Sequence, residues 1–268
     1  MNTLPMTLEP QDLEALRWAT QHLEHPSLAA RLSSVIGTPV EIVAKLLPRR
    51  VYKRMHAWAD AAIAKTLEVA VSSLRHAHEA DSHDGLYRTL AASAGAVGGL
   101  FGLYGLLLDL PVSTTIMLRA IAEIARAEGE DIHALDTQMA CLEVFALGGH
   151  AEADDAAETG YYGIRLALAV PVTTATHFIA RHGLADAEAP LLVNLIRAIS
   201  ARFGASLSQK TAAQLVPLVG AIGGAAINVI FMIHFQEMAR GHFVVRRLER
   251  KYGRALVQSH YERFCRAG

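Results

Sequence analysis

Two cysteines, Cys141 and Cys265, are all that 268 residues contain. That leaves no framework of spaced thiols for disulfides and no CxxC pair for a metal. Cys141 lies in an apolar helical run and Cys265 near the C-terminus, so a reducing compartment is expected. An excess of one charge is missing too: 25 Lys and Arg stand against 26 Asp and Glu, a balance that argues against nucleic acid as a partner. The opening MNTLPMTLEPQDLEAL has no basic start and no apolar h-region, and it carries Glu9 and Asp12 early. It is unlike a signal peptide, and the cytoplasm is the expected location. No GxSxG, no P-loop and no GxGxxG set between a strand and a helix occurs. An enzymatic role therefore has no motif behind it, and no cofactor is expected. Period-two alternation with β-branched enrichment is absent, as is any linker rich in Pro, Gly or Ser.

What is present reads as helix throughout, and the expected fold is a single all-α domain of roughly eight to ten helices. Thr38-Pro39-Val40-Glu41 combines a capping hydroxyl, a proline at the first helical position and a glutamate three residues after the cap. Beyond Pro48, the residues Val51, Met55, Trp58 and Ala62 recur at helical spacing on a segment that continues to Leu74. Asp109-Leu110-Pro111 predicts a helix start, with Gly129 as its stop; Asp131 is placed to cap the next helix, which runs to Gly148-Gly149. Tyr161 to Val170, Leu191 to Phe203 and Ala212 to Arg250 carry the remaining patterns. LDLPVSTTIML from Leu108 and LAVPVTTATHF from Leu168 share a Pro-Val-Ser/Thr-Thr core, too short to define a repeat.

Two glycine-laced apolar stretches raise the question of a membrane. Thr89 to Leu108 holds twenty residues without a charge, enough to span a bilayer, and Thr211 to Gln236 contains VPLVGAIGGAAINVIF. Gly95 and Gly99, Gly98 and Gly102, and Gly220 and Gly224 form four-residue stripes that serve close helix packing in either solvent. Asp109, Arg119 and Asn228 interrupt or border these runs. An intramembrane polar group is costly, so the expectation is two apolar hairpins packed centrally in a soluble or peripheral protein.

At these blocks the chain resembles the EcsC protein family. The resemblance rests on LDLPVSTTIMLRAIAEIA, on CLEVFALGG followed by an acidic loop and ETGYYGIR, and on VPLVGAIGGAAINVIF before a basic helix. It covers about residues 30 to 250, which divides the chain into an N-terminal helical extension (1–29), the family-like helical domain (30–254) and a C-terminal tail (255–268). The family takes its name from a protein encoded beside the two components of an ABC transporter. The resemblance implies no catalytic residues, and marks Asp109, Pro111, Thr114, Thr115, Tyr162, Arg165, Gly220 and Asn228 as family positions.

Several polar groups are candidate sites. Asp109 with Ser113, Thr114 and Thr115 can either form an anion site at a helix N-terminus or cap and back-bond within one helix. Tyr162 and Arg165 share a helix face and can grip a polar ligand together with Glu158, or simply pack. Asn228, alone in an apolar helix, needs a partner such as Asp109 or Thr115. His150, Glu152, Asp154 and Asp155, and separately His76, His78, Asp81, His83 and Asp84, offer metal-ligand types without any diagnostic spacing, so both clusters read as solvated acidic loops. Arg246, Arg247, Arg250 and Lys251, followed by Arg254, form a basic run suited to anionic headgroups or to a solvated face.

Together these point to a non-enzymatic accessory or regulatory protein at the inner face of a membrane. The expected partners are an anionic membrane surface or ABC transporter components. A soluble helical carrier of a lipid or other apolar ligand and a metal-dependent hydrolase are the alternatives.

Overall fold

The computed structural model describes residues 7–24, 28–73, 102–149, 160–184, 189–214 and 220–267. Ten helices, and no strand, occur among the described residues: α1 (Pro10–Glu24), α2 (Leu28–Ile36), α3 (Val40–Lys45), α4 (Arg49–Ser73), α5 (Gly102–Ala127), α6 (Leu135–Leu147), α7 (Tyr161–His182), α8 (Pro190–Gln214), α9 (Gly220–Tyr252) and α10 (Arg254–Ala267). The all-α expectation holds.

Two long helices organise the bundle. The 33-residue α9, about 50 Å at 1.5 Å per residue, packs against α1, α2, α5, α6, α8 and α10. The 25-residue α8 packs against α2, α3, α4, α6 and α7. Between them lies α6, in which only Leu135, Asp136 and Glu143 escape full burial. A helix that is apolar all round must be covered all round, and α4, α5, α7, α8 and α9 cover it. Phe145 of α6, Phe203 of α8 and Phe231 and Phe235 of α9 meet there, with ring centroids 5.0 to 6.2 Å apart. Such offset and edge-on contacts are the favoured aromatic geometries.

The end of α6 is built for close approach. The Gly148 carbonyl accepts Ser206 Oγ–H and His234 Nε2–H, each at 2.7 Å, from α8 and α9. A Cβ on Gly149 would stand 2.0 Å from the Arg202 carbonyl oxygen, so only glycine lets α8 come this near.

Several helix boundaries differ from the sequence expectation, for local reasons. The α3 helix begins at Val40, and no side chain caps it. The Val40 amide instead donates to Ser33 Oγ at 2.9 Å. Pro111 does not open a helix. It sits inside α5, which runs unbroken from Gly102. A proline there removes one amide and crowds the preceding turn. Hydroxyls one turn later bond back to the carbonyls at the proline: Thr114 Oγ1 donates to Leu110 O at 2.8 Å and Thr115 Oγ1 to Pro111 O at 2.8 Å. Pro171 is accommodated in the same way inside α7, with Thr174 Oγ1 donating to Val170 O at 2.8 Å. The short internal echo is thus one chemical device used twice, and it carries α7 past Val170 to His182.

Gly129 stops α5 as expected. It takes a φ of +79°, its amide donates to Arg126 O at 2.9 Å, and the Glu130 amide donates to Ala125 O at 3.0 Å, the paired bonds of a Schellman stop. Asp131 accepts the His133 amide at 2.9 Å and so closes a turn; the N-cap of α6 is Ala134. The run expected from Ala212 to Arg250 is helical over 212–214 in α8 and 220–250 in α9, with 215–219 outside the described residues. Of the glycine stripes, Gly95, Gly98 and Gly99 lie outside the described residues.

The two ends of the helical body are joined. Both α1 and α10 pack on α9 and on one another, so residues set apart in the sequence as extension and tail flank the same spine.

Candidate functional site

Polar residues converge where α1, α6, α7, α9 and α10 meet. The first turn of α7 presents Tyr161, Tyr162 and Arg165. Gly160 supplies no side-chain cap. Glu24, at the end of α1, takes that role from afar, since its Oε1 accepts the Tyr161 amide at 3.1 Å and the Tyr261 hydroxyl of α10 at 2.8 Å. A carboxylate at this place also meets the positive end of the α7 dipole.

Arg165 forks onto Glu249 of α9, Nη1 to Oε1 at 2.9 Å and Nη2 to Oε2 at 3.0 Å, and the Tyr162 hydroxyl donates to the same carboxylate at 3.1 Å. The pair is shielded, with 14% and 12% of the two side chains exposed. Planar bidentate geometry is the strong form of this contact. The guanidinium also lies over the Tyr161 and Tyr162 rings, 5.4 and 5.7 Å from their centroids, and the three tyrosine rings of the cluster touch one another.

Deeper in, a phenol, an imidazole and a carboxyl stand in line. The Tyr161 hydroxyl and His242 Nδ1 share a hydrogen bond of 3.0 Å, and His242 Nε2 faces Glu143 Oε2 at 3.9 Å. His242 is fully buried. Burial, with the Arg165 and Arg246 charges added, holds its pKa well below the ordinary imidazole value. Burial pushes the Glu143 carboxyl up to about 7 against the pull of Arg165 and Arg246. The imidazole is therefore neutral, and the carboxyl changes charge near neutral pH.

The basic run on α9 is turned against acids of the protein itself. Arg246 pairs with Glu130 at 2.8 Å and Asp136 at 2.9 Å, Arg247 with Glu128 at 2.8 Å, Arg250 with Glu130, and Lys251 with Asp12 at 2.8 Å and Glu9 at 3.1 Å. On this side α9 is covered by α1 and by the turn after α5, and cations held there need partners. Each of these cations is paired with an acid of the protein itself, while 39%, 43% and 42% of the Arg247, Arg250 and Lys251 side chains stay exposed.

The remaining sequence candidates fall as follows. Ser113 and Thr114 are buried in mid-helix with their hydroxyls on Leu110 and Pro111 carbonyls. The helix N-terminus that an anion would need is not at Asp109, because α5 already runs through it from Gly102. The Asp109 side chain lies outside the described residues. Asn228 is buried on α9, while the Thr115 hydroxyl donates within its own helix. Glu158, the cluster from His76 to Asp84 and the cluster of His150, Glu152, Asp154 and Asp155 lie outside the described residues. Among the described residues no group of three His, Cys, Asp or Glu is placed to hold a metal. Cys141 is buried and Cys265 exposed, both as free thiols.

Sequence reasoning placed Tyr162 and Arg165 on one face and missed what they hold. They hold Glu249, while His242 and Glu24 meet Tyr161, Glu24 also meets Tyr261, and Glu143 faces His242. The available signal was a polar seam on an otherwise apolar helix: His242, Arg246 and Glu249 recur at helical spacing along α9, and Glu143 is a lone carboxyl in CLEVFAL.

Two clefts lie among the described residues. One, of about 430 Å³ between α1 and α10, is lined by Arg17, Thr20, Glu24 and Phe264 among others. The other, of about 500 Å³, lies between α4 and α8 and is lined by Ala61, Ala64, Leu67, Leu184, Leu192 and Ile196 together with the charged Lys65 and Glu68.

The family model described as the EcsC protein family matches residues 11–248, from α1 almost to the end of α9. No curated protein and no solved structure matches the chain.

Proposed function

The chain belongs to the EcsC protein family, and from that premise we propose that it is a non-enzymatic accessory protein held peripherally at a membrane. The observation that carries this reading is the outer face of α7. The helix has 22 residues, and an 18-residue stretch of it, with mean hydropathy 1.3, is long and apolar enough to cross a bilayer, yet only 22% of that stretch is buried. Leu166 and Val170 are 70% and 72% exposed. The opposite stripe, Tyr161, Ile164, Leu168, Ala175 and Ile179, is packed into the bundle. A helix apolar on both its packed and its open face suits a bilayer interface, with one side on the protein and the other in the headgroup and acyl boundary.

The polar cluster supports an accessory role as well. Arg165, Glu249, Tyr162, Tyr261 and Glu24 are engaged with one another, as in a brace between helices. The family resemblance extends the reading to service beside an ABC transporter.

Fractionation of the natively expressed protein tests it. The expected result is recovery with membranes and release by carbonate or high salt, with Leu166→Gln/Val170→Gln shifting the protein to the soluble fraction. Retention through both washes would contradict peripheral attachment, and full recovery in the soluble fraction would remove the membrane reading. In that last case the largely apolar cleft between α4 and α8, bordered by the Lys65–Glu68 ion pair, favours a carrier of an apolar ligand, which stoichiometric lipid in the purified protein would reveal.

A further inference from the structure

We propose that the corner formed by α3 and the first turns of α4 is the surface that binds anionic lipid headgroups. The proposal rests on the membrane reading above and names the part of the molecule that makes the electrostatic contact. Between residues 40 and 59 the only acid is Glu41, whereas Lys45, Arg49, Arg50, Lys53 and Arg54 are cationic. Lys45, Arg50, Lys53 and Arg54 are all exposed, and none of them forms an ion pair among the described residues. Arg50, Lys53 and Arg54 stand at i, i+3 and i+4 on α4, so they share one face.

Exposed apolar side chains accompany these charges. Ile42 is 55% and Leu46 77% exposed, one helical turn apart, and Val35 of α2 is 39% exposed. The other side of α3 is seated in the core, with Val40 fully buried and Val43, Ala44 and Leu47 packed against it. The corner is held in place before any contact is made. Gly37 takes a φ of +69° between α2 and α3, and Ser33 Oγ joins the two helices by accepting the Val40 amide while donating to Ala29 O at 2.7 Å.

Large apolar residues on an outward turn, beside unpaired cations, complement the two layers of an anionic bilayer surface: charge for the headgroups, side chains for the boundary beneath. An acidic protein partner would be served by the charges alone and would leave Leu46 in water.

Binding to extruded vesicles of phosphatidylcholine with 30% phosphatidylglycerol, and of phosphatidylcholine alone, tests this with the full chain. The wild type is expected to prefer the anionic vesicles and to lose affinity as salt rises. The variant Lys45→Gln/Arg50→Gln/Lys53→Gln/Arg54→Gln should bind them at least about tenfold more weakly, since each cation near an anionic surface contributes severalfold. Ile42→Ser/Leu46→Ser should remove the part of the binding that resists salt. Unchanged circular dichroism and melting would show that these exposed substitutions leave the fold intact. If the quadruple variant binds as the wild type does while Leu166→Gln/Val170→Gln does not, the corner is overturned and the membrane reading stands. If the wild type binds neither vesicle, the membrane reading fails and takes the corner with it.

Discussion

The molecule carries two basic stretches of similar composition and opposite treatment. On α9, Arg246, Arg247, Arg250 and Lys251 face Glu9, Asp12, Glu128, Glu130 and Asp136. At the α3–α4 corner, Lys45, Arg50, Lys53 and Arg54 face solvent. Charge density along the sequence does not separate the two. What separates them is what the fold lays alongside: acids from the start of α1, from the turn after α5 and from α6 reach α9, and among the described residues none pairs with the corner. A basic run is evidence for a partner only after the protein's own acids have been counted.

The largest effect that would break this contrast is expected at Glu130, only 7% of whose side chain is exposed and which receives both Arg246 and Arg250. Glu130→Ala removes the acceptor that Arg246 and Arg250 share, leaving Arg246 to Asp136 and Arg250 to the Glu128 carbonyl. It should cost about 3 kcal/mol in urea unfolding, since two charge-assisted contacts of a shielded carboxylate are lost together. A loss under 1 kcal/mol would mean that water replaces the carboxylate at little cost.

Glu143 sharpens the comparison from the other direction, as a carboxyl shielded by burial that no cation neutralises through direct contact. Its folded pKa of about 7 lies above the ordinary 4.5. Its stabilising contribution is therefore complete below pH 4.5 and is lost as pH rises through 7. Glu143→Gln should raise stability at pH 8 by on the order of 2 kcal/mol relative to its effect at pH 5. Melting curves at the two pH values decide, and an effect independent of pH would place the titration elsewhere.

Acid should act on α9 and spare the corner. Against burial, Arg246 and Arg250 hold Glu130 below the usual carboxylate range, and Lys251, Tyr252 and Arg247 do the same for Asp12. Groups depressed in this way stabilise above their unfolded pKa and release that stability as pH falls through the folded value. Between pH 5 and pH 3 the wild type should lose more stability than Asp12→Asn/Glu130→Gln does. Equal acid slopes would contradict the pairing.

The smallest effect belongs to the corner itself. Arg50→Gln/Lys53→Gln/Arg54→Gln should shift unfolding by less than about 0.5 kcal/mol, because these charges contact solvent. A larger loss would show that they brace α4.

The helices were legible because periodic burial is a local property. Met55 and Ala62 are buried where the spacing of α4 put them, and Gly129 ends α5 by the backbone rule that predicted it. Pro111 misled because proline permits two outcomes, a first turn or a bridged interior, and the bridging hydroxyls of Thr114 and Thr115 read equally well as a site. The cluster was half legible. Tyr162 and Arg165 share a helix, so their proximity follows from spacing, but Glu249 reaches them from 84 residues away and Glu24 meets Tyr261 across 237. Contacts at that range are set by how helices stack, and no window on the chain contains them.

The bond from the Tyr161 amide to Glu24 also makes one proton a gauge of a distant event. The acceptor of that amide sits 137 residues earlier, on α1. No carbonyl of its own helix can replace it, because the first amides of a helix have no internal acceptor. The hydrogen at Tyr161 is therefore shielded from exchange with deuterium only while α1 is docked. Its exchange rate reports how often the first helix lifts from the bundle.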